Sequence, residues 1–592
     1  MRQVIRTYRR LSAHLPYAVR RFLRWYGVVT GVLAGIDIVA LLLLALTLST
    51  AVTGGALDFP VIGSVPTEAL PALIVVLSIV VVAKSAANLA MQWVATRRFA
   101  AIELELGQHL FSAYITSSWV ERLGRNTAKI TQMANTGVSS VVSGFLLPLS
   151  TLPSLLVTAA GVVSLIVIAQ PVTALVTTVY LGAISVLQFF VLGGKTRQAA
   201  RVSRDSSLRV SALIAGMVAS IKEITLRDKS VQVTEVVRRE RWKTAQARAN
   251  ANFLSTVPRF VFDAAVIGGF LVTGGVALLV GGIDQSVAAI ALFGIAGFRL
   301  VPSLAGFQAV VTRATTSTPF VEAVISDIES SSTTRHEAAP DGEPLPHTPS
   351  SLELHNVTFR YPRSEAPAIR DVSLAITMGT SVGIVGSSGA GKSTLVDVII
   401  GLLTPDAGHV EVDGEPLASV LGAWRRHVGY VPQDVTLFDG TIAQNIALSW
   451  DDADIDPERV EIAARRAQLW DVVAARPSGM NSRIGERGLA LSGGQRQRLG
   501  IARALYSDPI IIVMDEATSA LDTATEAEVS RAIRSLHGDV TVIAIAHRLS
   551  TIRHADQVVF MKDGRIDASG TFSQVVSAND EFAAQARLAG LE

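Results

Sequence analysis

Six long apolar runs dominate the first 311 residues: 26–51, 69–95, 137–169, 171–194, 260–281 and 285–311. A bilayer core of about 30 Å is crossed by about 20 apolar residues in a helix, and each run meets that length. A helix pairs every backbone N–H and C=O within its own segment, which the lipid interior demands. One such run alone would also suit a buried helix of a soluble domain. Six in succession predict an all-α polytopic membrane domain. Farther on, the apolar runs shorten. Residues 382–385 and 510–514 are near-continuous Val, Ile and Met, the pattern of parallel strands covered on both faces. An α/β domain is therefore expected after the membrane domain. Between the two lies 329–350, polar and rich in Ser, Thr and Pro, which cannot bury a core and reads as a linker.

Basic residues then orient the runs. Segment 1–26 carries seven arginines, and 195–259 carries fourteen Lys or Arg. Arg97, Arg98, Arg122, Arg125 and Lys129 follow the second run, whereas 52–67, 170–171 and 282–284 hold none. Basic connections fall on alternate sides, which places the N-terminus and the downstream domain in the cytoplasm. The basic connections are also long, about 40 and 65 residues, and helical in composition. They predict spans that continue as helices into the cytoplasm and fold back. The N-terminal arginines precede an apolar run too long for a signal peptide, so an uncleaved first span behind an amphipathic segment is expected.

Charges inside the runs are candidates for function, because an ion in the hydrocarbon costs several kcal/mol unless paired or hydrated (roughly +2.5 or more at the centre). Lys84, Asp263 and Arg299 stand out. A substrate contact is one reading for Arg299. Snorkelling for Asp263, and an internal pair between spans for Lys84 and Arg299, are the others.

Bulk composition agrees with the pattern. Of 592 residues 49 % are hydrophobic and 17 % charged, and mean hydropathy is +0.41. A net charge of +2 without a long basic run gives no reason to expect nucleic acid. There is no cysteine, which excludes disulfides, thiolate metal sites and cysteine nucleophiles.

The strand 382–385 runs into Gly386, Ser387, Ser388, Gly389, Ala390, Gly391, Lys392, Ser393 and Thr394, followed by an apolar helical run. Glycines at these spacings allow backbone N–H groups to wrap phosphate oxygens, with the helix N-terminus adding positive potential. Lys392 is expected to reach the terminal phosphates of ATP, and the Ser393 hydroxyl to ligate Mg²⁺. The strand 510–514 ends in Asp515 and Glu516. Ligands bind outside the carboxyl ends of such strands, so both acids are expected beside the nucleotide. Asp515 would hold Mg²⁺ through water and Glu516 would act as general base on the attacking water.

Further motifs follow in a fixed order. Leu491-Ser492-Gly493-Gly494-Gln495 resembles the signature of the ATP-binding cassette transporters, and Gln433 in YVPQD resembles their Q-loop. Ser519-Ala520-Leu521-Asp522 resembles the D-loop, His547 the switch histidine, and Tyr361 the aromatic residue that stacks on adenine. Residues 485–488, Gly-Glu-Arg-Gly, resemble the element by which exporters sense their partner half. The resemblance spans the chain as a half-transporter: exporter-type membrane domain 1–328, linker 329–350 and ATP-binding domain 351–592. Segments 216–230, 258–265 and 297–303 resemble the lipid-linked oligosaccharide flippase branch, although 216–230 departs from it at Thr225 and at Arg227-Asp228.

The resemblance implies an ATPase coupled to transport, multi-pass in the plasma membrane. Ser492, Gly493, Gly494, Gln495 and Asp522 would complete the nucleotide site of a second half-transporter, in a homodimer or a heterodimer. Gln433 would assist Mg²⁺, and His547 would contact the γ-phosphate. The cargo expected is a lipid, a lipid-linked glycan or an amphipathic small molecule. An ATP-gated or regulatory protein without steady pumping, and an exporter-shaped importer, are the alternative functions.

Overall fold

The computed structural model describes residues 1–53, 57–59, 63–65, 70–124, 127–333, 345, 349–362, 364–485, 488–515, 531, 533, 536, 538–546 and 548–591. The chain divides into two compact units, one of Met1–Ser117 with Gly124–Arg335, the other of Ser118–Leu123 with His336–Glu592.

The first unit is helical. Helices Tyr17–Thr53, Leu70–Ile115, Pro171–Ala219 and Ser230–Thr333, with the helical run from Thr127 to Ala169, contain the six apolar stretches, the second of them from Leu70 onward. Among the described residues five helices are long and apolar enough to cross a membrane. The last of these covers both final stretches, and it is broken at Gly282, whose φ of 79° and ψ of −168° leave the helix. That backbone is open to glycine and strained for other residues, so one position turns a single rod into two. A two-stranded hairpin, β1 (Leu57–Phe59) with β2 (Gly63–Val65), joins the first two long helices. The helices extend well past bilayer length, as the composition of the basic connections predicts. Leucine-zipper-like seams are not needed for the close packing seen here: a Cβ on Gly269 would lie 2.1 Å from the ring of Phe293. Small residues admit such approach where lipid removes the hydrophobic drive between helices.

The helix Arg2–His14 buries Val4, Thr7 and Leu11 on one face. Thr7 Oγ1 donates to Glu322 at 3.2 Å, and Glu329 accepts from Arg10 at 2.6 Å. These ties hold the long helix together as far as Thr333, so residues 329–333, expected as linker, are helical.

The second unit is α/β, as expected. Its strands are β3 (Ser351–Phe359), β4 (Ile369–Thr377), β5 (Ser381–Gly386), β6 (Ala407–Val412), β7 (Glu415–Pro416), β8 (Val428–Val431), β9 (Ile511–Asp515), β10 (Thr541–Ile545), β11 (Gln557–Lys562) and β12 (Arg565–Gly570). One sheet has the order β12-β11-β5-β10-β9-β8, parallel except for β12, and the other β4-β3-β6-β7 is antiparallel. β5 and β9 are buried on both faces, which accounts for their unbroken apolar sequence. Trp424, on helix Leu417–Arg426 and fully buried in the core of this unit, satisfies its indole N–H on the Ile399 carbonyl at 3.0 Å.

Segment Ser118–Leu123 packs with this second unit. Trp119 Nε1–H donates to the Asp397 carboxylate at 3.3 Å, and Trp119 and Val120 lie on the domain's core. Burial pushes the Asp397 carboxyl up to about 6, helped by the nearby Asp515 charge, while the Trp119 bond opposes the shift.

Two outcomes are expected. Asp397 binds its proton more tightly folded than unfolded, so stability falls as pH rises from about 4 to about 6. Asp397→Asn keeps an acceptor for Trp119 and escapes that loss. Its thermal midpoint, measured without nucleotide, should exceed wild type by about 2–4 °C at pH 7.5 (~1 kcal/mol after solvent screening) and match it near pH 4. An equal gain at both pH values would refute the assignment. The second concerns a charge that the run 26–51 contains and the candidates above omit. Asp37 accepts from Lys84 at 2.5 Å and from Arg299 at 2.8 Å. The internal pairing expected for Lys84 and Arg299 is thus made through a third residue, while Asp263 is exposed. Asp37→Ala leaves two cations facing each other in a largely buried place and should cost about 3 kcal/mol, with Lys84→Met partly restoring the midpoint.

Candidate functional site

The phosphate loop is built where β5 ends. Gly386, Gly389 and Gly391 take φ of 150°, 83° and 98°. At Gly391 a Cβ would lie 2.6 Å from the Ala368 carbonyl, so the tight turn is closed to any larger residue. Helix Lys392–Ile399 starts there with its N-terminus toward the loop, and Ser387, Ser388 and Gly389 are exposed. Lys392 is buried, and its ammonium donates to the carbonyls of Gly386 and Ser387, both at 2.9 Å. A cation is thereby held by the carbonyls of its own loop, beside the N-terminus of the helix that follows, the arrangement that favours a polyphosphate.

Around this loop the fold gathers residues far apart in sequence. Asp515 ends β9, separated from β5 only by β10. Tyr430, on β8 beside β9, donates its hydroxyl to Asp515 Oδ2 at 3.3 Å. Burial, then the charges of Asp515 and Asp397, push the Tyr430 phenol up to about 12, so it stays a donor at any physiological pH. Gln433 follows β8 and is exposed at the same carboxyl-end edge. Tyr361 stands edge-on to Phe359 with ring centroids 5.1 Å apart, and its hydroxyl lies 3.3 Å from Thr394 Oγ1 on the phosphate-loop helix. Tyr361, the helix residues Lys392 and Thr394, and Asp515 therefore come from three segments to one region. Tyr430 is a member of that region which sequence reading missed. Its signal was weak, one aromatic residue three places before Gln433.

The signature residues are built differently. Ser492 caps the 14-residue helix Gly493–Tyr506: its hydroxyl accepts from the Gln495 N–H at 3.3 Å, and Gln495 Oε1 accepts from the Ser492 N–H at 3.1 Å. This reciprocal capping fixes the helix start and leaves Ser492 and Gly493 exposed, with Gly494 buried. An exposed helix N-terminus offers N–H donors and positive potential to an anion outside its own loop. Glu516, Asp522 and His547, with Glu486 and Arg487 of the partner-sensing element, lie outside the described residues.

Residues 369–519 match the family model described as ABC transporter. The ATP-dependent lipid A-core flippase of Cupriavidus metallidurans is 43 % identical over 249 residues, 42 % of this chain and 42 % of that protein. The flippase of the same description from Salmonella typhimurium is 44 % identical over 233 residues, 39 % of this chain and 40 % of its own. The ABC-type transporter atr1 of Mycosarcoma maydis is 43 % identical over 245 residues, 40 % of this chain and 18 % of its own. The chain thus spans about two fifths of the flippases it matches. A solved structure described as a bacterial Atm1-family ABC exporter with ATP bound superposes with a TM-score of 0.74 at 23 % identity, over 96 % of this chain and 99 % of that one. Helical membrane-type domain followed by an α/β ABC-type ATPase domain, the chain has the fold of an exporter-type ABC half-transporter.

Proposed function

We propose that the chain is one half of an ATP-hydrolysing transporter that moves a lipid, a lipid-linked glycan or another amphipathic molecule outward across the plasma membrane. The observation that carries this reading is a phosphate loop with a buried, loop-bound lysine in the same chain as five helices of membrane-crossing length. Its layout is a membrane domain that continues as helix to Thr333, a linker from there to 350 and a cytoplasmic ATP-binding domain over 351–592, with the N-terminus also cytoplasmic. The alternation of basic connections supports that orientation.

ATP would lie with its adenine on Tyr361 and its phosphates on residues 386–394. The Mg²⁺ ion that accompanies it would be held by Ser393, Gln433 and Asp515, an all-oxygen donor set of the hard kind Mg²⁺ takes. It would supply charge neutralisation at the phosphates. Glu516 takes the proton of the attacking water, and Tyr430 keeps Asp515 oriented. Ser492, Gly493, Gly494, Gln495 and Asp522 of one copy would close over the ATP of a second, so a homodimer is the working assembly. The exposed, capped signature helix supports that arrangement. ATP drives closure by binding the closed state better than the open one, and His547 would contact the γ-phosphate and couple its loss to reopening.

The cavities of the first unit support an amphipathic cargo. One of about 1000 Å³ is lined by Val28, Val32, Leu149, Leu152, Leu156 and Phe307 among others. A second, of about 370 Å³, pairs Phe189, Phe190 and Leu155 with Ser185, Gln188 and Thr196, whose side-chain polar atoms are buried without a protein partner. Apolar walls with a few convergent polar groups suit a molecule with a tail and a headgroup.

Lys392→Ala should abolish tight binding of a fluorescent ATP analogue, and retained affinity would remove the phosphate-loop assignment. Glu516→Gln should bind ATP but turn it over at least about 100-fold more slowly, trapping a closed dimer visible by size-exclusion chromatography. Phosphate release at the wild-type rate would contradict Glu516 as base. Transport is read directly from inverted vesicles offered lipid-linked glycans, phospholipids and amphipathic drugs; accumulation of none of them with ATP would count against the reading.

A further inference from the structure

The antiparallel pair β3 and β6 carries a side-chain cluster that nucleotide chemistry does not use. Its register sets His355 directly opposite His409 and Glu353 directly opposite Glu411. Leu352, Leu354, Val410 and Val412 alternate with them and are buried, so all four polar side chains share the outer face. Like groups have been placed opposite like, an arrangement that disfavours pairing when nothing lies between them. The side chains nonetheless converge. His409 Nε2 lies 3.1 Å from Glu411 Oε1, His355 Nε2 lies 3.7 Å from Glu411 Oε2, and His355 Nε2 lies 3.4 Å from Glu353 Oε2. One donor atom each from His355, His409 and Glu411 fits within 4.8 Å of the others, and the two rings are 5.0 Å apart.

We propose that His355, His409 and Glu411, with Glu353 as a fourth donor, form a binding site for a divalent transition cation of the Zn²⁺ type. Metal–nitrogen and metal–oxygen bonds of about 2.0–2.2 Å in a tetrahedron set donors roughly 3.3 Å apart. The three nitrogen–oxygen separations here bracket that value, so small side-chain rotations suffice. Two imidazoles with two carboxylates suit Zn²⁺ and its neighbours rather than Mg²⁺ or Ca²⁺, which take all-oxygen shells. The backbone prepares the site. Register shifts in β3 follow Leu354 and His355, and Asn356 has a φ of 51°, a bulge of the kind that re-aims a side chain. Gly408 of β6 lets the strands meet there, since a Cβ would lie 2.3 Å from the His355 carbonyl. The bound cation relieves the Glu–Glu opposition and ties β3 to β6. β3 ends at Phe359, two residues before Tyr361, so the tie stiffens the strand that leads to the ring.

The test uses the full chain in detergent without a polyhistidine tag. Zn²⁺ titrated by calorimetry should bind in one equivalent to this site and raise the thermal midpoint reversibly with chelator. His355→Ala and His409→Ala should each weaken that binding at least about tenfold and remove the midpoint rise, and Glu411→Gln should weaken it less. Cu²⁺ loaded as a probe should show two nitrogen couplings by electron paramagnetic resonance, reduced to one in either histidine variant. His409 is exposed and His355 and Glu411 are half-exposed on the outer face, so the variants should keep the apo midpoint and ATP-analogue affinity, which checks their folding. Unchanged Zn²⁺ affinity in the double histidine variant, or a Cu²⁺ spectrum without two nitrogens, would overturn the site. Neither result bears on the transport reading.

Discussion

A peptide group in hydrocarbon has no water to bond, and that constraint governs the first half of this protein. Each apolar stretch is forced into helix, and the helices do not stop where the apolar residues end. They run on through the basic segments because a helix already formed is extended at little cost. One departure from helix falls at Gly282, whose backbone suits glycine. The ion cluster obeys the same economy of solvation. Asp37 is tolerable because Lys84 and Arg299 both bond it, and each cation is tolerable because of Asp37.

The α/β unit answers a different requirement, that polar groups converge on one edge of an apolar sheet. Parallel strands place their carboxyl ends together, so the ends of β5, β8 and β9 lie on one edge although about 130 residues separate Gly386 from Asp515. At that edge Lys392 is held by the carbonyls of its own loop. Tyr430 and Asp397 show how tightly that edge is charged: both have their proton affinities raised by burial and by Asp515. The Trp119 contact on Asp397 brings a residue from the connection after the second long helix onto the helix that bears the phosphate loop.

The two sheets divide labour. The mainly parallel sheet supplies the edge that bears Gly386 and Asp515, whereas the antiparallel sheet leads into Tyr361 and carries the His–Glu cluster. In the antiparallel sheet the outer face is open to solvent, so polar side chains accumulate there in cross-strand pairs, and pairing opposite in register makes a convergent donor set possible.

Periodicity and composition by themselves determined the helical and α/β halves, the phosphate loop, the signature and the strand bearing Asp515, because each depends on neighbours along the chain. Asp37 was legible too, as a charge within an apolar run. The helical character of 329–333 was not, since Arg10 and His14 hold Glu329 from more than 300 residues away. Nor were the partners of Lys84 and Arg299, the Tyr430–Asp515 bond, the Trp119–Asp397 bond or the His355–His409 pairing. These rest on register and on contacts between distant segments. Local sequence sets which conformation a segment prefers, but only tertiary packing sets which side chains share a place, because that depends on how sheets and helices fill space together.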